Sequence, residues 1–391
     1  MKIVFWIALF IVFYTYIGYG ILLYIIIRLK RLFVGRPHEA VLPADEGLPT
    51  MTLMICAYNE EDIVKEKMAN TLALDYPKDK FRIMWVTDGS NDHTNELLAA
   101  YPEVDIVFSP ERRGKTAALK HGLRELKTRY VAFTDANTMI NTGALREIAR
   151  LFSDPTVGCV SGEKRVAARK AGEMASEGEG LYWRYESTLK RWDSELYSAM
   201  GAAGELYAID PQLCREVPDE ALLDDFMLSM YVVQAGKRIA YTSDAYAREY
   251  GSANIYEESK RKRRIAAGGL QSIWWLRSML NPLRQPLVTF QYVSHRVLRW
   301  SITPVAMVLL LIVNIALVAM GAGTFYTVML ILQTLFYLMA LAGWLTNRFG
   351  YKNKLLYTAY YFVFMNFNVF RGMAYLRSHG KSGAWEKAKR S

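Results

Sequence analysis

The sequence predicts an α/β protein with a mostly parallel sheet, joined to transmembrane and interfacial helices. Short apolar runs alternate with helix-like segments between residues 51 and 136, a pattern typical of a parallel sheet that is covered on both faces. Long stretches without charged residues lie near both ends of the chain, 25 residues from Ile3 to Ile27 and 47 residues from Ser301 to Asn347. The chain therefore combines an α/β region with apolar helical regions.

The elements of the α/β region follow from where the apolar runs begin and end. We predict strands at residues 52–58, 81–88, 104–110 and 130–136. Each run is short and rich in apolar residues, as expected of a strand buried on both faces. Helix-like segments separate the strands at residues 60–73, 93–101 and 114–126.

The first charge-free stretch is long enough for one membrane crossing of about 20 residues, and the second is long enough for two. The apolar core of the first is too long for a secretory signal peptide, and no small-residue cleavage site follows it. A further run, residues 355–370, has only 16 uncharged residues, so a crossing and an interfacial position both remain open. The predicted regions are a transmembrane helix (1–30), an α/β domain (45–265), interfacial amphipathic helices (266–300) and a C-terminal transmembrane region with a basic tail (301–391).

Basic residues flank the predicted spans and indicate their orientation. They follow the first span at Arg28–Arg36, and they follow the third span at Arg348, Lys352 and Lys354. This arrangement predicts that the long middle region lies in the cytoplasm.

The composition excludes several classes of protein. Three scattered cysteines and five dispersed histidines lack the spacing of a zinc site, and they suit a reducing compartment. The net charge of +10 suits an anionic membrane face, and no recognised nucleic-acid-binding module accompanies it.

Acidic and amide side chains follow three of the predicted strands, in Tyr58-Asn59-Glu60, Asp88-Gly89-Ser90 and Asp135-Ala136-Asn137. Each group alone is typical of a turn, because Asp and Asn favour chain reversals. Together they would meet at the carboxyl edge of one sheet, where ligands usually bind in open α/β sheets. The pattern therefore favours a site for a metal ion and phosphate.

The chain resembles a known family in six motifs that occur in the same order and at similar spacing. The motifs are ICAYNEE, VTDGSNDHT, ERRGKTAALKHGL, FTDANT, GAAGELYAID and LLDDFMLSMYVVQAGKRIAY. The sequence is thereby identified as similar to membrane-bound family 2 glycosyltransferases, the superfamily of bacterial cellulose, chitin and hyaluronan synthases. The resemblance implies a GT-A fold, a nucleotide-sugar donor, a divalent cation and inversion at the anomeric carbon.

The resemblance implies roles for residues on the donor side. Asp135 is similar to the first aspartate of the family's DxD motif and would hold the metal, with Asn137 as a weaker, neutral ligand. Oxygen ligands indicate Mg²⁺ or Mn²⁺. Asp88 resembles the residue that contacts the nucleoside, although a helix-initiating or turn aspartate is the alternative. Tyr58 and Glu60 resemble residues of the nucleobase pocket.

Three further residues stand at the starts of predicted helices. Lys115 is a candidate to approach the nucleotide, with a solvated lysine as the alternative. In the acidic pair Asp224-Asp225, Asp225 is similar to the family's catalytic base, which takes the proton from the acceptor hydroxyl. Asp224 is assigned mainly to N-capping and the helix dipole, beside the acceptor.

The segment Gly201–Ala208 resembles the family's acceptor-side loop, so Gly201, Gly204 and Glu205 are candidate acceptor-binding residues. Small residues there would let the backbone approach a sugar closely, and a tight turn is the alternative.

One motif departs from the family pattern. Processive synthases carry Q-x-x-R-W, in which the tryptophan can stack on the acceptor sugar, whereas this chain has Arg261, Arg264 and Ile265. The two arginines can still pair with the donor diphosphate, or they can attract anionic lipid. Trp274-Trp275 and His295 are interpreted as residues at the membrane interface.

The resemblance thus implies an inverting glycosyltransferase of the bacterial inner membrane with a cytoplasmic catalytic domain. It would move a sugar from a nucleotide-sugar donor, UDP-linked by expectation, to a lipid-linked or growing saccharide acceptor, among membrane lipids and without nucleic acid. The alternatives are a processive polysaccharide synthase that translocates its product and a catalytically silent scaffold that binds nucleotide or glycan.

Overall fold

The computed structural model describes residues 1–35, 41–167, 174–250, 255–351 and 353–379. Arg36, Lys352 and the basic tail after residue 379, which entered the predictions of orientation and domain limits, lie outside these residues. Within the described ranges an eight-stranded sheet is combined with membrane-type helices.

The sheet has the strand order β3-β2-β1-β4-β7-β6-β8-β5. Strands β1 to β4 are mutually parallel, as predicted, whereas β7 runs antiparallel to both of its neighbours. The strands are β1 (Met51–Ala57), β2 (Phe81–Asp88), β3 (Val104–Ser109), β4 (Tyr130–Asp135), β5 (Met139–Ile140), β6 (Val157–Ala167), β7 (Tyr207–Ile209) and β8 (Arg238–Tyr250).

Helices cover the sheet and continue into the membrane-type region. They are α1 (Lys2–Phe13), α2 (Tyr19–Val34), α3 (Val64–Leu72), α4 (Thr94–Ala99), α5 (Lys115–Arg124), α6 (Ala144–Leu151), α7 (Met174–Leu196), α8 (Asp224–Gln234), α9 (Ile255–Trp275), α10 (Pro286–Tyr292), α11 (Leu298–Trp300), α12 (Ile302–Ala319), α13 (Thr324–Arg348) and α14 (Lys354–His379).

The core explains why the strand sequences are almost continuously apolar. In β1, Leu53 and Ile55 join the core on one face of the sheet, while Met54 joins the core on the other face. Successive side chains of a strand point to opposite faces, so a strand buried on both sides needs apolar residues at every position.

Among the residues that the structure describes, three helices are long and apolar enough to cross a membrane, namely residues 2–34, 302–319 and 324–348. The first of them packs on the second through Phe5, Ala8 and Leu310. Its Tyr19 hydroxyl donates a hydrogen bond to Asp193 of α7, which fastens this helix to the α/β region.

Helix α9 runs without interruption across the predicted domain boundary at residues 265–266. It packs along α14, whose backbone passes close enough that Gly372 faces Ala266 and Ala267. The predicted division between a catalytic domain and interfacial helices therefore falls inside one continuous helix. Helix α14 packs against α9 as well as against α13.

Candidate functional site

The strand ends meet at one edge of the sheet, as the sequence predicted. The register pairs Cys56 of β1 with Asp135 of β4 and Ala57 of β1 with Thr87 of β2. Tyr58, Asp88 and Asp135 therefore leave the sheet side by side.

Two residues of the predicted nucleobase pocket lie at the outer part of this edge. The guanidinium of Arg112 lies over the ring of Tyr58, 3.9 Å from the ring centroid. The backbone N–H of Glu60 donates a hydrogen bond of 2.9 Å to the hydroxyl of Thr94. Tyr58 and Glu60 are thus held against the two segments that follow β2 and β3.

Asp88 is 5% exposed, and its carboxylate accepts hydrogen bonds from the backbone N–H groups of Arg113 (3.0 Å) and Gly114 (2.6 Å). These bonds fix the loop that leads into α5, whose first residue is Lys115. Asp88 therefore positions Lys115 in addition to any contact with a nucleoside.

Lys115 links the carboxylates of two different elements. Its ammonium lies 2.7 Å from Oδ1 of Asp135 and 4.0 Å from Oδ2 of Asp224. Desolvation lowers the pKa of Lys115, but the nearby carboxylates outweigh it and hold that pKa well above its usual value. The side chain is 42% exposed, so it is an ion-paired lysine at the mouth of the site rather than a solvated one.

The acidic pair begins α8, but the predicted capping role of Asp224 is wrong. The N-cap residue is Leu223, and no side chain caps this helix by a hydrogen bond. Within the described part of the chain, the buried Oδ2 of Asp224 has no hydrogen-bond partner. Its nearest positive charge is Lys115, so this oxygen faces a place that favours a cation.

Asp225 has the environment of a general base. Burial raises the pKa of its carboxyl group, and repulsion from Asp224 raises it further, to about 6, while Lys115 opposes both effects. One carboxylate oxygen accepts a hydrogen bond of 2.8 Å from the N–H of Phe226. A carboxylate tuned towards neutral pH is suited to accepting a proton.

The loop 201–208 brings its small residues to α8. A Cβ added at Gly204 would lie 3.0 Å from Oδ2 of Asp225, so the bare backbone leaves room beside that carboxylate. Gly201 has a φ of +93°, and a Cβ there would overlap the ring of Phe226. Gly201 is therefore required by the backbone conformation and by packing, whereas Gly204 is required by the space next to Asp225.

We expect Gly201→Ala to destabilise the fold. The residue would need a left-handed backbone, at a cost of about 1 kcal/mol, and would overpack against Phe226, at a cost of about 1–3 kcal/mol. The thermal midpoint in detergent measures the loss. Gly143→Ala is the control, because Gly143 has a negative φ and nothing lies within 4 Å of an added Cβ; equal midpoints for the two variants would contradict this expectation.

Glu205 is held in a buried ion-pair chain. The ammonium of Lys164 lies 2.5 Å from Oε1 of Glu205 and also contacts Glu249. Arg261 lies 3.6 Å from the same oxygen of Glu205. Burial opposes ionisation, but Lys164 and Arg261 dominate and lower the pKa of Glu205 strongly. Glu205 therefore carries a fixed negative charge in the cavity wall.

A cavity of about 420 Å³ joins these parts. Its catalytic end contains Lys115, Asp135, Gly204 and the pair Asp224-Asp225, and Arg261 and Arg264 line its side. The lining also includes Tyr16 of the first membrane-type helix and four residues of α14, namely Phe362, Met365, Asn366 and Val369. Tyr58, Glu60, Asp88, Asn137 and Gly201 are outside this lining.

Trp300 is a cavity residue that the sequence interpretation missed. The predicted stacking position holds Ile265, but the ring of Trp300 lines the same cavity and packs edge-on against Phe226 at 5.1 Å between centroids. Gly269 of α9 leaves room for this indole, because a Cβ at that position would lie 2.5 Å from the ring. The only signal was the motif QYVSHRVLRW, whose mixed basic and aromatic residues suggested a membrane interface.

The interfacial position predicted for His295 is wrong, because its exposed fraction is 0%. Its Nδ1 lies 2.5 Å from Asp193 and its Nε2 lies 3.2 Å from Glu186. Glu186 also contacts Arg296 at 2.7 Å and Arg299 at 3.0 Å. The acidic and basic side chains of this cluster are about 100 residues apart in sequence. The local sequence pattern therefore could not show that their charges neutralise one another.

A comparison with family models matches residues 52–209 to Glycosyl transferase family 2. These residues contain β1 to β4, Asp135 and the loop carrying Gly204. The chain therefore contains a family 2 glycosyltransferase domain.

Curated relatives are similar over parts of their length. A poly-beta-1,6-N-acetyl-D-glucosamine synthase of Staphylococcus aureus is 34% identical over 125 residues, which are 31% of this chain and 30% of that protein. A beta-monoglucosyldiacylglycerol synthase of Synechocystis sp. is 25% identical over 62% of this chain and 53% of that protein. The match thus spans about a third to a half of these relatives.

A solved structure shares the fold over nearly the whole chain. The mannosyltransferase PcManGT from Pyrobaculum calidifontis, determined in complex with GDP-Man and Mn²⁺, covers 95% of this chain and 98% of its own length, with a TM-score of 0.68 and 21% identity. The GT-A fold predicted for this chain is confirmed.

The residues at the carboxyl edge of the sheet fit a divalent cation that is bound by only a few protein ligands. In the described part of the chain no group of three or more His, Cys, Asp or Glu side chains could hold a metal alone. Asp135 is 30% exposed at the cavity mouth, and the unpartnered oxygen of Asp224 faces the same region. Mg²⁺ commonly binds through one or two carboxylates plus substrate phosphates, and this donor set suits that mode.

Proposed function

We propose that this glycosyltransferase moves a sugar, with inversion, from a UDP-sugar to a hydroxyl of a lipid-linked or growing saccharide acceptor. The supporting observation is the single cavity that runs from Asp135 and Asp225 to the membrane-type helices. Such a cavity lets an acceptor anchored in the membrane present a hydroxyl to the carboxylate of Asp225.

The donor would bind at the strand edge. Asp135, with Asn137 as a weaker candidate, would hold Mg²⁺ or Mn²⁺, and the cation would offset charge on the diphosphate leaving group. Lys115 would contribute a further positive charge there, because it is fixed between Asp135 and Asp224. Tyr58, Glu60 and Asp88 would border the nucleoside, and Arg264 would face the diphosphate from α9.

Asp225 would remove the proton from the acceptor hydroxyl as its oxygen attacks the anomeric carbon. The bond from that carbon to the diphosphate breaks in the same displacement, which inverts the configuration. Gly204 leaves space beside the carboxylate for the acceptor, and Glu205 fixes Arg261 at the wall. Trp300 offers an indole face on which a saccharide can stack.

The membrane arrangement belongs to the same proposal. The catalytic domain would lie on the cytoplasmic face of the inner membrane, where nucleotide sugars are made, with α9 and α14 at the membrane surface. Trp300 also supports the processive alternative, because a stacked saccharide could remain bound between additions.

The test is release of nucleotide by the detergent-purified protein, across a panel of UDP-sugars and GDP-mannose with Mg²⁺ or Mn²⁺, in the presence of membrane lipid extract. We expect one UDP-sugar to give metal-dependent release, and sizing of the product separates single addition from polymerisation. Turnover of GDP-mannose alone would contradict the UDP assignment. No turnover with any donor would favour the silent scaffold.

We expect kcat/KM to rise with pH and to level off above about pH 6, because Asp225 must be deprotonated to accept a proton and its pKa is raised to about 6. The measurement is the rate of transfer from about pH 5 to about pH 8, with nucleotide affinity as the control. A profile without a fall on the acidic side would assign the proton transfer to another group.

A further inference from the structure

The cavity contains a buried lysine that the proposed reaction does not use. Lys190 of α7 is 4% exposed and lines the cavity, with its ammonium 5.9 Å from the ring centroid of Trp183. Across the described ranges it makes no hydrogen bond and no ion pair within 4.0 Å. The side chain borders the cavity and its ammonium has no such partner, so it is suited to receive an anion there.

The other cations of the cavity are mostly paired with carboxylates of the protein. Lys115 contacts Asp135, and Arg261 contacts Glu205. Arg296 and Arg299 share one carboxylate, that of Glu186. Lys190 differs from these cations, because no carboxylate of the described residues lies within 4.0 Å of its ammonium.

Lys190 and Lys115 border the same cavity but have different neighbours, since Lys115 lies 2.7 Å from Asp135 whereas Lys190 lies beside the ring of Trp183. The strongest electrostatic neighbours of Lys115 are Asp135, Asp224 and Asp225. Those of Lys190 are Arg296 and the carboxylates of Glu186, Glu205 and Asp225. Asp135 and Asp224, which border the proposed diphosphate position, contact Lys115 and not Lys190. Lys190 is therefore taken as part of the acceptor half of the cavity.

The surroundings of Lys190 select a particular kind of anion. Burial lowers the pKa of Lys190 and the guanidinium of Arg296 lowers it further, and a bound anion would offset both effects. The same cavity continues to the apolar side chains of Phe362, Met365 and Val369 on α14. A ligand with a charged head and an apolar tail matches this succession of charged and apolar walls.

We propose that Lys190, supported by Arg296, anchors an anion subsite that binds a phosphate group carried by the lipid acceptor. The phosphate would sit between Asp225 and Glu186, with the lipid chain directed towards α14. The inference deepens the proposed function and rests on it only in the lipid nature of the acceptor. The shared chemistry is a phosphate, which could also come from free phosphate or from the donor diphosphate.

The test is calorimetric titration of the detergent-purified full chain with octyl phosphate, octyl glucoside, inorganic phosphate and UDP. We expect octyl phosphate to bind at least about tenfold more tightly than octyl glucoside or inorganic phosphate, a difference of about 1.4 kcal/mol. Lys190→Met is expected to lose that affinity about tenfold or more, Lys190→Arg is expected to keep most of it, and UDP affinity should stay unchanged in both.

Lys115→Met is the matched variant, and it is expected to weaken UDP while leaving octyl phosphate binding intact. The subsite would be overturned if Lys190→Met bound octyl phosphate as the parent does. It would be reassigned to the donor if Lys190→Met weakened UDP instead, and to a free anion if inorganic phosphate bound as tightly as octyl phosphate. Retained UDP binding shows that a variant is folded, and absent UDP binding by the parent would contradict the proposed donor without touching the octyl phosphate result.

Discussion

Asp225→Asn is expected to reduce transfer by about 10²- to 10⁴-fold, because the amide keeps the size of the side chain but cannot accept a proton. The carboxylate lies next to the space left by Gly204, and its pKa is raised towards the pH at which proton acceptance is most effective. The measurement is metal-dependent UDP release in the presence of acceptor. KM for the donor should change little, because the donor is proposed to bind at Asp135.

The matched control is Asp219→Asn, six residues earlier, in the loop that leads to α8. Its carboxylate is 77% exposed and pairs with Lys120 at the surface. Surface pairs contribute about 0–1 kcal/mol, so this variant should retain full transfer. If Asp225→Asn transferred sugar at the rate of the control, the proton would have to be taken by another group and the proposed mechanism would fail.

The donor edge could be predicted from the sequence because its determinants are local. Each of β1, β2 and β4 is a short apolar run followed immediately by a polar residue, so the strand end and the side chain that leaves it are read together. Parallel strands then place Tyr58, Asp88 and Asp135 at one edge without further information. The local pattern did not predict that the carboxylate of Asp88 accepts hydrogen bonds from the loop before α5.

The acceptor half could not be predicted, because its determinants join segments far apart in sequence. Glu186 and His295 are 109 positions apart, and each alone looks like a charge on a helix surface. Trp300 enters the cavity only because Gly269 of α9 leaves it room. The second half of the sheet, with its antiparallel β7, likewise lacks long apolar runs, since β7 has only three residues.

Asp193 and Glu186 of α7 pair with basic side chains of the segment 293–300. Together these side chains form one buried layer between α7 and that segment. Tyr19 from the first membrane-type helix donates to Asp193, so the layer fastens that helix to the catalytic domain next to the cavity. Its charges compensate one another, and they fix the positions of Arg296 and Trp300 in the cavity wall. The layer therefore links the first membrane-type helix to the wall of the cavity that is proposed to hold the acceptor.

Glu186→Gln is expected to lower the free energy of unfolding by about 3–5 kcal/mol, because it leaves two buried guanidinium groups without their shared counter-charge. Burial favours the neutral acid, but Arg296 and His295 hold the pKa of Glu186 well below its usual value, so the native group is charged. The measurement is thermal or denaturant unfolding in detergent, together with octyl phosphate binding.

Glu195→Gln on the same helix α7 is the matched control. Its carboxylate contacts Arg31 at 2.5 Å, but that arginine is 35% exposed and can be solvated when the pair is broken. We therefore expect a loss of about 0–1 kcal/mol for the control. Equal losses for the two variants would show that the layer around Glu186 is no more sensitive than a partly exposed ion pair. A large loss only for Glu186→Gln would instead show that the cavity wall depends on a compensated buried charge, because the control variant changes the same residue type on the same helix.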